Sequence, residues 1–306
     1  MQNDLIKIVE VGPRDGLQNE TNIIDTGLKV DFINRLTDSG LQHIEVSSFV
    51  NPNAIPQLYD AEEVFKKIDR KKNINYGSLV PNERGMQRAL SVNPSSVAVF
   101  TAASETFCQK NINCSIAESM DRFKPVLALA EKDDLPVRAY VSCVLGCPYE
   151  GFIDPDKVVD LTLELINMGC YEVSLGDTIG AGTPWHAVKL MQALAEKLNM
   201  DKIAIHFHDT RGQALANILA CLDFGVKTID TSVAGLGGCP YADGATGNVA
   251  TEDVVYMLHG LGHQTGVNLD ELIQVGRFIS DSLNRKNQSK VGTAGVPHEY
   301  ASYQTT

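Results

Sequence analysis

The sequence predicts a (β/α)8 barrel with its catalytic groups at the C-terminal rim of the strands. Three observations predict it. Eight short β-rich runs alternate with helix-compatible stretches along 306 residues. Three helix-to-strand joints, SGLQHIEV, MGCYEVSL and FGVKTIDT, repeat one pattern, a glycine followed at once by the approach to a strand. The reactive polar residues fall at the ends of the runs, where barrel enzymes build their sites. Repeated βα units imply parallel strands joined by right-handed crossovers. An open doubly wound sheet is the alternative. It would carry a glycine-rich nucleotide fingerprint after its first strand, and VGPRDGLQNE is not one.

Taken in order, IKIVEV is the first strand and ends in GPRDG, which places Arg14 and Asp15 at the rim with Gln18 just beyond. HIEVSSF is the second and carries Glu45 between Ile44 and Val46. INYGSLV, SVAVFTA and VRAYVSC follow, the last leading to a first GCPY, Gly146 to Tyr149. The next helix is DPDKVVDLTLELINMG, with Asp154 as N-cap, Pro155 at the first helical position and Gly169 as the stop. EVSLGD ends in Asp177, and IAIHFHD carries His206 and His208. TIDTSVAG leads into the glycine-rich GLGGCPYADGATGN, which holds a second GCPY with Cys239, and then Asn248. Residues 1–290 read as one barrel domain with a C-terminal helical extension, and 291–306 as a tail whose end is expected to be disordered.

Composition narrows the classes. With 26 basic and 38 acidic side chains the net charge is −12, which argues against a nucleic-acid partner. The seven cysteines are odd in number and scattered, so a reducing compartment is expected rather than a disulfide framework. No apolar run approaches the roughly 20 residues that span a bilayer. The N-terminus goes straight into strand-like sequence, so a cytoplasmic protein without a membrane partner is expected.

Side chains at i and i+2 of a strand share a face, so His206 and His208 point the same way and can reach one metal ion. Two hydrogen-bonded core histidines are the bland alternative. Asp15 and Asn248 supply oxygen atoms from neighbouring strand ends. A mixed N/O set without thiolates suits Mg²⁺ or Mn²⁺. Glu45 in a barrel mouth needs a cation, and Arg14 is the near one. That pair either braces the barrel or holds a guanidinium ready for an oxyanion. Asp177 is either a partner or proton carrier beside the histidines or a cap on the following loop. Gln18 contacts substrate or orients the first loop. Composition alone does not choose between Cys147 and Cys239 as a functional thiol.

SVAGLGGCPYADGATGN, together with VGPRDGLQNE and HFHDT, resembles the 3-hydroxy-3-methylglutaryl-CoA lyase family of metal-dependent barrel lyases. The likeness continues through KNINCSI, YVSCVLGCPYEG, GCYEVSLGDTIG and NVATEDVVYMLHGLG. The resemblance implies cleavage of an acyl-CoA substrate to acetyl-CoA and acetoacetate. It implies a divalent cation held by Asp15, His206, His208 and Asn248, an enolate met by Arg14, and proton transfer by Cys239. It adds Glu45, Asp177 and His206 as participants and a homodimer as the assembly. Position 211 is Arg where relatives often have Tyr. A CoA substrate needs phosphate contacts, for which Lys110, Arg285, Lys286 and Lys290 are candidates; a solvated basic patch is the other reading. A condensing enzyme of the citramalate or isopropylmalate synthase type, a lyase for a longer-tailed 3-hydroxyacyl-CoA and a non-catalytic metal- or CoA-binding module are the competing functions.

Overall fold

The computed structural model describes residues 5–238 and 247–297. All eight expected strands are present: β1 (Lys7–Glu10), β2 (His43–Ser48), β3 (Asn75–Leu79), β4 (Ser96–Ala102), β5 (Val137–Ser142), β6 (Glu172–Asp177), β7 (Ile203–Phe207) and β8 (Thr228–Thr231). They pair in parallel and in chain order, and β8 closes on β1, which rules out the open sheet.

Helices α1 (Thr26–Asp38), α2 (Ala61–Lys67) and α3 (Glu83–Leu90) follow the first three strands. Next come α4 (Glu105–Ile112), α5 (Ile116–Lys132), α6 (Pro155–Asn167), α7 (Pro184–Ala195) and α8 (Ala214–Leu222). After β8 stand α9 (Thr251–Gly260), α10 (Leu269–Ser282) and α11 (Lys290–Ala294). The local signals act as read. The Asp154 side chain accepts from the Asp156 N–H and caps α6. The joint glycines Gly40, Gly169 and Gly225 all adopt positive φ, at 92°, 112° and 85°. No helix among the described residues is long and apolar enough to cross a membrane.

The boundary read at 291 falls within α11 (Lys290–Ala294). Ser289 caps this helix by accepting from the Gly292 N–H, and Asp253 accepts from the Lys290 and Val291 N–H groups. A turn so short has too little periodicity to be seen in sequence; a carboxylate from α9 stabilises it.

The barrel has two distinct interiors. Outward-facing strand residues such as Ala139, Val173, Leu175, Ile205 and Ile229 pack with the helices into the main apolar core. The inside of the barrel is polar. Arg138 on β5 reaches Asp230 on β8, and Tyr140 on β5 reaches Glu45 on β2. Neither pair lies on neighbouring strands, so both contacts cross the barrel. Bulky branched side chains fill most barrels of this type; here charged groups take their place and need near-complete pairing to be tolerated.

Candidate active site

The loop after β1 starts as a single π-turn over Gly12–Gly16. The Val11 carbonyl accepts from the N–H groups of Arg14, Asp15 and Gly16. Such widened turns recur at functional sites, because they aim consecutive side chains at one target. Arg14 is buried, and its Nε donates to Glu45 Oε2 at 2.5 Å. Its Nη1 donates to Asp15 Oδ1 at 2.6 Å, and the guanidinium lies 5.5 Å from the Tyr140 ring centroid. Burial works against the charged guanidinium, but the Glu45 and Asp15 carboxylates outweigh it and raise the Arg14 pKa. Its Nη2 takes part in neither of these two contacts.

Asp15, His206 and His208 offer ligand atoms that all lie within 4.8 Å of one another. His206 Nε2 is 3.9 Å from Asp15 Oδ2. His208 and Asn248 are paired by an isolated backbone bridge, which brings Asn248 beside the histidines. The Asn248 Nδ2 donates to Asp15 Oδ2 at 2.8 Å. Two buried atoms here, His208 Nδ1 and Asn248 Oδ1, have no partner among the described residues. Unpaired buried polar atoms are uncommon and call for an explanation; a cation supplies one. Protonation states already suit it. Burial works against the Asp15 charge, yet Arg14 and the two histidines hold the carboxyl well below its usual range. Burial, with His206 adding to it, pushes His208 down to about 4, so its ring is neutral at neutral pH. Cations bind ionised carboxylates and neutral imidazoles.

The glycine-rich segment starts and ends beside this cluster. A side chain on Gly247 would come within 2.6 Å of the Gly237 carbonyl oxygen, and one on Gly237 within 2.7 Å of Asn248 Nδ2. Both residues have positive φ, at 100° and 117°. Only glycine lets the two ends approach so closely. Cys239 lies outside the described residues. Its neighbour Gly238 accepts from the Asn19 side chain at 2.9 Å, which ties the near end of the segment to the β1 loop.

The other predicted residues divide. Gln18 is half-buried one step before Asn19. Asp177 is fully buried, and its carboxylate accepts from the N–H groups of Ala181 and Gly182. Burial raises its pKa against those two hydrogen bonds. No hydrogen bond joins its side chain to a histidine ring among the described residues; these contacts are those of a loop cap. The CoA candidates fall into two groups. Arg285 pairs with Glu20 at the β1 loop at 2.5 Å; Lys286 follows it in sequence, and the Lys290 N–H donates to Asp253 of α9. Lys110 lies 4.3 Å from the Tyr149 ring centroid at the β5 loop, across the barrel.

The sequence model of the HMGL-like family matches residues 5–279. The chain belongs to this family. Among its curated HMGL-like relatives, the mitochondrial hydroxymethylglutaryl-CoA lyase of Pongo abelii is 55% identical over 289 residues, covering 94% of this chain and 89% of that protein. The cytoplasmic 3-hydroxy-3-methylglutaryl-CoA lyase of Rattus norvegicus is 51% identical over 291 residues, 95% of this chain and 85% of that one. The crystal structure of hydroxymethylglutaryl-CoA lyase from Pseudomonas aeruginosa matches with a TM-score of 0.93 at 50% identity, covering 95% of this chain and 97% of that one.

Several residues around this HMGL-like site escaped the sequence reading. Asp230, Arg138 and Tyr140 stand behind the histidines and Glu45. Glu10 and Glu252 are buried under the root of the β8 loop: Glu10 accepts from the Val233 N–H, and both oxygens of Glu252 accept from the Ala234 N–H. A signal existed, since Arg138 and Asp230 are charged residues within otherwise uncharged runs, VRAYVSC and TIDTSVAG. Which charge meets which was set by the closure of the barrel.

Proposed function

We propose that the chain is a carbon–carbon lyase that cleaves 3-hydroxy-3-methylglutaryl-CoA to acetyl-CoA and acetoacetate. One observation carries the reading: Asp15, His206 and His208 converge where the guanidinium of Arg14 is fixed. In the reaction the C3 hydroxyl loses its proton and C3 becomes the ketone carbon of acetoacetate. The electrons of the C2–C3 bond leave with C2 as a thioester enolate, which then takes up a proton. Asp15, His206, His208 and Asn248 would hold a divalent cation, Mg²⁺ or Mn²⁺, which polarises the hydroxyl and lowers the cost of its alkoxide.

Arg14 meets the enolate oxygen. Glu45 and Asp15 keep its plane from turning, so little reorganisation is needed as charge develops. Tyr140 donates to Glu45 Oε1 at 3.2 Å and locks that carboxylate in turn. Cys239 supplies the proton that the enolate carbon takes up, and the proton released from the C3 hydroxyl restores the thiol, a task suited to a thiol in a segment rooted at Asn248. Asp177 acts by bracing the β6 loop, whose backbone carbonyl at position 177 accepts from the His208 N–H at 3.3 Å. Gln18 contacts the acyl group from the β1 loop. Arg285, Lys286 and Lys290 are favoured over Lys110 for the CoA phosphates, because they stand on the side of the β1 and β8 loops.

The relatives named above are lyases, which favours this direction over condensation. The cytoplasmic reading rests on the odd, scattered cysteines of the sequence, and one of the relatives named above is a cytoplasmic form. Assembly as a homodimer rests on the family resemblance, and sedimentation equilibrium tests it. For the reaction, the test is acetyl-CoA release from a panel of 3-hydroxyacyl-CoA thioesters with Mg²⁺, with Mn²⁺ and with EDTA. Release from the 3-methylglutaryl compound that EDTA abolishes and either ion restores is the expected result. Turnover confined to a longer-tailed thioester, or indifferent to EDTA, overturns the proposal.

A further inference from the structure

Behind the cation cluster the buried polar side chains form a closed ring. Arg138 Nη1 donates to the Tyr140 hydroxyl at 3.0 Å, and that hydroxyl donates to Glu45. Glu45 grips Arg14, and Arg14 grips Asp15. Asp15 faces His206 Nε2, and His206 Nδ1 lies 3.3 Å from Asp230 Oδ2. Asp230 returns to Arg138, which holds it through Nη2 at 2.6 Å and Nη1 at 3.1 Å. One guanidinium thus supports both the arginine and the histidine of the proposed chemistry.

We propose that Asp230, held by Arg138, is a positioning residue that fixes the His206 ring with Nδ1–H toward Asp230 and the Nε2 lone pair toward the cation site. The inference rests on the metal-dependent reading of the same residues. An ionised carboxylate has only acceptor atoms, so an imidazole nitrogen bonded to it must carry a proton. Asp230 has the partners of an ionised group: the forked contact from Arg138 and a 2.7 Å bond from the Ser174 hydroxyl. Arg138 itself has little freedom, because Glu172 Oε1 takes its Nε at 2.6 Å and Tyr140 takes Nη1. Asp230 is 1% exposed, so no solvent competes for His206. Carboxylate partners of this kind orient metal-bound histidines and raise their basicity.

Asp230→Asn tests the assignment, with two readouts that need no turnover. In the metal-free wild-type protein, ¹⁵N spectra of labelled histidine should show His206 as a single tautomer protonated at Nδ1; in the variant both tautomers should appear. Calorimetry should show Mn²⁺ affinity weakened by about 10–100-fold, the usual loss when such a partner is removed. Glu172→Gln is the control. It loosens Arg138 without touching His206 or the forked contact to Asp230, and should keep the tautomer and weaken the affinity far less than Asp230→Asn. An unchanged tautomer and affinity in Asp230→Asn overturn the proposal, as does equal weakening in Glu172→Gln, which would signal a general loosening of the barrel. If the wild-type protein binds no Mn²⁺, the metal reading fails, and the tautomer measurement still decides the role of Asp230.

Discussion

GCPY occurs twice, in the loops after β5 and β8, and the two copies meet different surroundings. At the first, the Cys147 thiol donates to Ser104 Oγ at 3.0 Å and accepts from the N–H groups of Tyr149 and Glu150. The backbones of Cys147 and Gly151 exchange two hydrogen bonds and close the turn. This sulfur is buried and occupied by its own loop. The second copy belongs to a segment whose ends, Gly237 and Gly247, meet against Asn248. The first copy serves as a structural turn, whereas the described residues that flank the second, Gly237 and Gly247, lie against Asn248. What separates them is the flanking sequence. FIDP after the first copy leads directly into α6, whereas Gly247, which follows the second, lies against Gly237, which precedes it.

The strongest way to break this comparison is to change each thiol to a hydroxyl. Cys239→Ser should lower kcat by at least about 100-fold, the lower range for removing an acid–base group. Cys147→Ser should leave kcat near wild type, since the hydroxyl still accepts from the turn. Steady-state kinetics of both variants decide it, and the reverse pattern would assign the chemistry to the β5 loop.

A smaller effect sharpens the structural half. Cys147→Ala removes the acceptor of two N–H groups at the surface of the turn and the thiol that donates to Ser104, whose hydroxyl still accepts from the Phe107 N–H. It should cost about 1 kcal/mol, the usual net worth of hydrogen bonds of this kind. Urea denaturation measures the loss, and Cys147→Ser should recover most of it. A loss confined to kcat, with unchanged stability, would contradict the closed turn.

A third effect, read as a pH slope, concerns the root of the second loop. Ala234 sits there at φ 58°, a left-handed conformation that costs a non-glycine residue energy. Glu252 and Glu10 hold this turn through the Ala234 and Val233 N–H groups. Burial pushes Glu252 up to about 8, against its hydrogen bonds and with Glu10 and Asp253 adding; burial likewise pushes Glu10 up to about 7. Both carboxyls therefore keep protons in the folded protein that the unfolded chain releases near 4.5. Their stabilising contribution is complete below that value and is lost as pH rises through about 7 to 8. Thermal melts across this window should fall with rising pH, and Glu252→Gln should flatten the slope. The β5 turn is held by the Cys147 thiol and backbone hydrogen bonds, so Cys147→Ser should leave the slope as it is.

The barrel and much of the site were legible in the sequence for physical reasons. Strand and helix periodicities, the Asp154–Pro155 cap and the glycine stops are local, and they act within a few residues of where they are written. The pairing of His206 with His208 follows from the two-residue repeat of a strand. Asp15 and Asn248 could be placed beside them because barrel closure sets β8 next to β1. The segment around Asn248 also carries the glycines that its return path requires.

Tertiary structure alone decided the rest. Asp230 meets His206 and Arg138 only because β5, β7 and β8 face one interior, at sequence separations of 24 and 92 residues. Asp177 offered a carboxylate at a strand end, and only the fold of the β6 loop directed it to backbone N–H groups. Glu252 reads as an ordinary first-turn acid of a helix, and burial made it a support for a strained turn. α11 exists because Asp253 reaches it. A local rule depends on neighbours along the chain, whereas the partner of a buried charge depends on what crosses the barrel to meet it.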